Sequence, residues 1–297
     1  MTPADWWWIP ITVWAAFAQT VRNAAQRSLT AELGTWGATL VRFLYGLPFA
    51  AIWLFAVQSF AQEGLPGIDL KFLLWVTLGA VSQIVATGLL LRTMQERNFA
   101  LGVAYSKSEV LQVAIFAFVF LGDPFTLPLA IAVACGTCGV ILLSGSTTLG
   151  WATRPALLGL ASGACFAFAA VGYRGAALAL AGNNFLVAAA FTLLVAQAMQ
   201  TVLLGGCLSV KDFPVVKRAA KEWRRSLLAG FMGAAASAGW FTAFAIEPAA
   251  HVRTLGLVEL VFSYLVSLKL FRERLSRREL GGMALLAAGV AAITLAR

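Results

Sequence analysis

Apolar runs of about 20 residues, separated by short charged or glycine- and proline-bearing breaks, follow one another along almost the whole chain. Each run can cross a hydrocarbon layer about 30 Å thick as a helix rising about 1.5 Å per residue. The pattern predicts ten spans, at 6–25, 35–57, 72–91, 100–121, 125–144, 155–175, 184–205, 226–246, 250–271 and 279–296. The expected fold class is all-α integral membrane. Trp6-Trp7-Trp8 opens the first span as an interfacial belt, and the one long polar stretch, Lys211 to Arg225, reads as a loop between spans seven and eight. Ala16-Phe17-Ala18 looks like a signal-peptide cleavage site, but Asp5 precedes it and no Lys or Arg does, so this helix is read as retained.

Composition agrees with the pattern. The chain of 297 residues is 60% hydrophobic and 12% charged, against roughly 45–50% and 25% in a soluble globular domain. A water-soluble fold is excluded on that ground. The net charge of +9, from 22 Lys and Arg against 13 Asp and Glu, is explained by where the cations fall. Arg27, Arg92, Arg97, Arg154, the six between Lys211 and Arg225, and Lys269, Arg272, Arg274, Arg277 and Arg278 make 15 on one face; Lys71, Arg174, Arg253 and Arg297 make four on the other. Positive loops stay in the cytoplasm, so both termini are expected outside a bacterial-type inner membrane, and the charge calls for no nucleic acid. Cys135, Cys138, Cys165 and Cys207 all lie in apolar runs and suggest neither a disulfide framework nor a zinc site. The Cys135/Cys138 spacing, beside Gly136 and Gly139, reads as small residues at a helix contact.

The two halves repeat. A shift of 150 carries Glu109 to Glu259, Asp123 to Glu273, Gly139 to Gly289 and Val140 to Val290; a shift of 151 carries Gly88 to Gly239 and Glu96 to Glu247; and 152 carries Arg22-Asn23-Ala24-Ala25 onto Arg174-Gly175-Ala176-Ala177. The halves, 1–150 and 151–297, hold five spans each. Five is odd, so the second copy enters the membrane in the opposite direction. Such inverted repeats build many secondary transporters, with the substrate near the midplane between the halves.

Phe118-Val119-Phe120-Leu121-Gly122-Asp123 and Leu268-Lys269-Leu270-Phe271-Arg272-Glu273 close spans four and nine, each followed by a glycine-bearing span (Gly136/Gly139 and Gly282/Gly289), and span two carries Arg42-Phe43. In these features the chain resembles the drug/metabolite transporter superfamily, specifically its ten-span EamA-like exporters, over nearly its whole length. The resemblance implies two EamA-like five-helix repeats and export of a small metabolite. Two features depart from that family: Ser108-Glu109 and Val258-Glu259 stand where many members have Ser-Pro or an apolar pair, and many members are described with cytoplasmic termini.

Ionisable side chains inside spans cost on the order of 2.5–3.5 kcal/mol on insertion scales and mark the candidate site. In span one, Gln19, Arg22, Asn23 and Gln26 share a face that must look inward, unless Arg22 and Gln26 merely snorkel from the last turn. In span four, Tyr105, Glu109 and Gln112 share a face, and on a continuous helix Lys107 lies about 200° away. In span nine, Glu259, Ser263 and Ser267 form a polar stripe. Arg42, Gln83 with Thr87, and Trp240 complete the cavity candidates, while Tyr173, Arg174, Gln197, Gln200 and Thr201 read more economically as interhelical hydrogen bonds. His251 is the only histidine and makes no metal site.

Glu109 and Glu259 are expected to be the proton-coupling residues, unless they pair permanently with Arg22, Arg42 or Lys107. Glu109, beside the cationic side, is expected to stay ionised, and Glu259 to carry the proton. Three cations against two carboxylates within the spans favour a ligand with a carboxylate. The expected function is a monomeric, proton-coupled exporter of an amino acid or similar small carboxylate-bearing metabolite, needing no cofactor or metal. Its partners are the lipid bilayer, the small-molecule substrate and the proton. A channel or an intramembrane enzyme is the alternative; no G-x-S-x-G, H-E-x-x-H or P-loop motif is present.

Overall fold

The structure, a computed structural model, describes residues 6–62, 64–112, 127–143, 154–180, 184–246, 252 and 255–295. These form helices joined by turns, with no strand among the described residues. In chain order they are α1 (Trp8–Leu44), α2 (Leu47–Ala61), α3 (Leu70–Glu96), α4 (Phe99–Ser106), α5 (Leu127–Leu143), α6 (Arg154–Ala179), α7 (Phe185–Lys211), α8 (Phe213–Lys221), α9 (Trp223–Ile246), α10 (Val258–Lys269) and α11 (Arg277–Leu295). Among the described residues, four stretches are long and apolar enough to cross a membrane: Trp8–Ala61, Leu70–Glu96, Arg154–Ala179 and Phe185–Lys211. Large apolar side chains such as Phe55, Phe60, Leu70, Val202 and Val210 point outward from them, a surface suited to lipid rather than water.

The first stretch is two arms. Gly34 breaks α1 with φ 66° and ψ 175°, a conformation open to glycine at little cost. The Gln26 side-chain amide donates to the Ala38 carbonyl at 2.9 Å across 12 residues; a straight helix would hold these residues about 18 Å apart. The chain therefore folds back at Gly34. The first arm continues 11 residues beyond Arg22, and Arg22 and Gln26 are 4% and 0% exposed. Neither is an interfacial residue reaching out of a last turn.

Two sequence expectations are corrected. The stretch 211–225 is not a loop: α8 lies within it, capped by Asp212, whose carboxylate accepts from the Val215 N–H, and docked through Val215 and Ala219, which sit one turn apart and are buried. The apolar spacing of four residues favoured this helix, although the high charge disguised it. Span four is not one continuous helix. After Ser106 the backbone bonds tighten: the Lys107 N–H is shared between the Val103 and Ala104 carbonyls, and the Ser108 N–H goes to Tyr105. Helix resumes over 109–112. This turn re-aims Lys107 relative to Glu109. The matching stretch ahead of α10 is tightened in the same way, with Glu259 N–H bonded to Gly256 and Leu260 N–H to Leu257. The motif at 118–123, Asp123, His251 and Arg253 lie outside the described residues.

The most extensive helix contacts are α3 with α6, α1 with α9, and α5 with α11; α2 also packs on α7, and α4 on α10. The α5–α11 contact is backbone against backbone. A Cβ at Gly139 would lie 2.6 Å from the Leu286 nitrogen, and one at Gly282 would lie 2.9 Å from the Gly139 carbonyl oxygen. The glycines make this contact, and the cysteines do not: Cys138 is exposed and Cys135 half-buried.

Candidate functional site

Arm one of α1, the turn after α4, α9 and the start of α10 bring one polar cluster together. Glu259, 1% exposed, is its centre. Lys107 forms an ion pair with its carboxylate. Gln19 donates its amide to Oε2 at 2.7 Å, and Asn23 donates to Oε1 at 3.5 Å. The Trp240 indole N–H donates to the Gln19 carbonyl oxygen at 3.0 Å, fixing which way that amide faces. Four stretches far apart in the sequence, at 19–23, 107, 240 and 259, thus converge on or around one carboxylate. Arg22 joins at the edge, with Nη2 donating to the Asn23 side-chain oxygen at 2.7 Å and Nε at 3.2 Å.

A second cluster lies on α1 arm two, α3, α6 and α7. Arg42, 3% exposed, donates to the Thr87 hydroxyl at 2.9 Å and lies 5.1 Å from the Phe43 ring. One turn along α3, Gln83 accepts from the Tyr173 hydroxyl at 2.7 Å and from the Gln200 amide at 2.7 Å; the same amide lies 3.0 Å from the Tyr173 oxygen. This cluster contains a cation and neutral polar groups, with no carboxylate among the described residues bonded to them. Gln200, set aside in the sequence as an interhelical bond, is the residue that ties Gln83 to Tyr173.

Six of the ten residues singled out by sequence (Gln19, Arg22, Asn23, Lys107, Trp240 and Glu259) fall in the first cluster, and Arg42 and Gln83 in the second. The other two stand apart. Tyr105, 1% exposed, packs in the apolar core around Leu101 and Leu111 and against Gly159. Glu109 is half-buried beside α6, where a Cβ at Gly163 would lie 3.2 Å from its backbone nitrogen. Lys107 reaches Glu259, the carboxylate pairing that the sequence left open as the alternative to proton coupling. The span-nine stripe also divides, because Ser267 donates to Glu273 at 2.7 Å and the buried Ser263 hydroxyl has no partner among the described residues.

Eight residues beyond Glu259, about 12 Å along a helix, a third group closes one end of the bundle. Glu273 is ion-paired with Arg27 and accepts from the Phe99 N–H at 2.8 Å and from Ser267. Burial opposes its ionisation, but the bonds from Arg27, Phe99 and Ser267 outweigh it and hold the carboxyl below its ordinary value of 4.5. Arg97 pairs with Glu279 at 2.9 Å, Arg154 with Glu96 at 3.4 Å, and Arg225 with Glu32 at 2.9 Å. These pairs gather at one end several of the segments that the charge count places on one face. Arg27 enters that count only as a loop charge, with nothing in its neighbours to announce a carboxylate 246 residues away.

No protein-family model matches the chain, and no curated protein does. A solved crystal structure shares its fold, with a TM-score of 0.61 and 18% identity over 97% of this chain and 96% of the other. At that identity the likeness concerns the fold alone. It extends over nearly all of the chain, so this fold is one represented among solved proteins.

Proposed function

We propose that the chain is a proton-coupled secondary transporter of the drug/metabolite transporter type, with ten spans in two inverted five-helix repeats, exporting a small carboxylate-bearing metabolite by alternating access. The observation that carries this reading is the ion pair of Lys107 with the buried Glu259, joined by Gln19, Asn23 and Arg22 where segments of both halves meet. Ionisable groups at that depth are costly and are kept where they handle ions or substrate. Two further observations favour an inverted repeat. A two-fold axis relating spans one to six, two to seven, three to eight, four to nine and five to ten would turn the α3–α6 contact into α9–α1. It would return the α2–α7, α4–α10 and α5–α11 contacts to themselves; all five contacts are present. The tightened turns just ahead of Glu109 and Glu259 are the second sign, because they recur at the repeat spacing.

In this reading Glu259 and Lys107 hold the two halves together in one state, and Glu109, the carboxylate 150 residues before Glu259 in the repeat, takes the coupling proton. Flux into proteoliposomes tests the function. A transporter gives saturable uptake that a pH gradient drives uphill; conductance without saturation would mean a channel, and a chemically altered product an enzyme. Glu109→Gln is expected to lower gradient-driven accumulation at least tenfold while sparing exchange of substrate across the membrane. Full accumulation by that variant would remove Glu109 from the coupling step.

A further inference from the structure

Arg22 and Arg42 belong to different polar clusters, yet their stems meet. Both flank Gly233 of α9: a Cβ at that position would lie 3.2 Å from Arg42 Cγ and 3.4 Å from Arg22 Cδ. The two side chains are 4% and 3% exposed. Among the described residues neither forms an ion pair; the seven pairs present involve other cations. Arg22 spends two donors on one neutral oxygen, Asn23 Oδ1, and Arg42 spends one on the Thr87 hydroxyl. A guanidinium carries five N–H donors, so most of the ten stay unused by the described residues. The buried carboxylate close by, Glu259, is already engaged by Lys107, Gln19 and Asn23.

Two adjacent like charges withdrawn from water repel each other and share the one nearby anion among the described residues, Glu259, with Lys107, an arrangement that folding alone does not favour. It suits a planar, doubly accepting anion, which a pair of guanidinium forks can hold with several parallel bonds.

We propose that Arg22 and Arg42 form an anion cradle over Gly233 that binds the carboxylate of an organic anion lacking an ammonium group. An ammonium near the bound carboxylate would approach two guanidiniums, and repulsion would oppose it. The inference rests on the transporter reading for the fate of the ligand, though not for its binding, and narrows the substrate class to organic acids without an amine.

Calorimetric titration of the purified full-length protein in detergent tests it, with succinate, alanine, tetramethylammonium and chloride as probes. Saturable succinate binding is expected, at least tenfold tighter than alanine or chloride, with no tetramethylammonium binding. Arg42→Gln is expected to weaken succinate at least tenfold and Arg42→Lys less, since an ammonium keeps the charge but loses the fork. Gly233→Ala, which sets a methyl between the two stems, tests the same cradle should Arg42→Gln fail to fold. The cradle is overturned if alanine, tetramethylammonium or chloride binds as tightly as succinate, or if the folded variants bind succinate like the parent. Succinate binding without flux would sink the transporter reading and leave the cradle standing; saturable flux of alanine or a cation with no succinate binding would do the reverse.

Discussion

The two buried cation sites differ in one respect that sets their physics apart. Lys107 has a carboxylate, Glu259, and that carboxylate has further donors in Gln19 and Asn23. Arg22 and Arg42, more deeply buried than Lys107 and close together, have neutral oxygens and a ring. A paired charge whose lone pairs are also satisfied is part of the scaffold, and removing one partner leaves the other stranded. A charge left without its opposite is a standing cost that the fold retains only if something else meets it. The difference separates what holds the helices together from what waits for a ligand.

The largest effect expected follows from breaking the paired site on one side. Glu259→Gln strands Lys107, and loss of one partner of a buried pair costs about 3–5 kcal/mol. The yield of monodisperse protein and the unfolding temperature in detergent should both fall sharply. Lys107→Met combined with Glu259→Gln should recover most of the loss, because it removes both charges together. If Glu259→Gln alone unfolds like the parent, the pair contributes nothing to the scaffold.

Removing a charge from the other site should act in the opposite direction. Arg42→Met takes away a buried cation that no carboxylate among the described residues balances, and is expected to stabilise the ligand-free protein by about 1–3 kcal/mol, read from replacements of buried charge by apolar groups of similar size. The gain should come with loss of any stabilisation by succinate, a trade of function for stability. A variant less stable than the parent would show that Arg42 is already compensated within the fold, and the contrast between the two sites would collapse.

Part of this contrast was legible in the sequence. Polar residues inside apolar runs named most members of both clusters, because hydrocarbon makes such residues conspicuous. Helix periodicity set Lys107 apart from Glu109 but could not name its partner. The bonds at Val103, Ala104 and Tyr105 tighten the turn there, and Lys107 meets a carboxylate 152 residues away. Spacing along one helix carries no information on which partner a neighbouring helix brings. Gly233 was silent for the same reason: a glycine among small residues in α9 becomes a junction of two arginine stems only once α1 folds back at Gly34. The helix α8 was hidden by its own charge, since the apolar face that docks it is only Val215 and Ala219.

A third charged group refines the comparison, because Glu273 is clamped much as Glu259 is, by one cation and neutral donors, but at the end of the bundle. Water reaches this level, so its contribution should be smaller and should follow pH in a defined direction. The folded-state pKa of Glu273 lies below its ordinary 4.5: burial alone would raise it, and the bonds from Arg27, Phe99 and Ser267 outweigh that effect. A carboxyl depressed on folding binds fewer protons folded than unfolded between the two values, so stability rises with pH there. Its contribution is present in full above the unfolded value and is lost as pH falls through the folded one. Glu273→Gln should therefore cost about 1–2 kcal/mol at pH 7, between an exposed pair and a charge-assisted buried bond. The gap in unfolding temperature between parent and variant should narrow steadily once the pH drops below about 4.5, near the ordinary carboxyl pKa. Should the gap stay constant from pH 7 to pH 3, ionisation of Glu273 does not hold α1, α4 and α10 together at this end, and the clamp acts through packing alone.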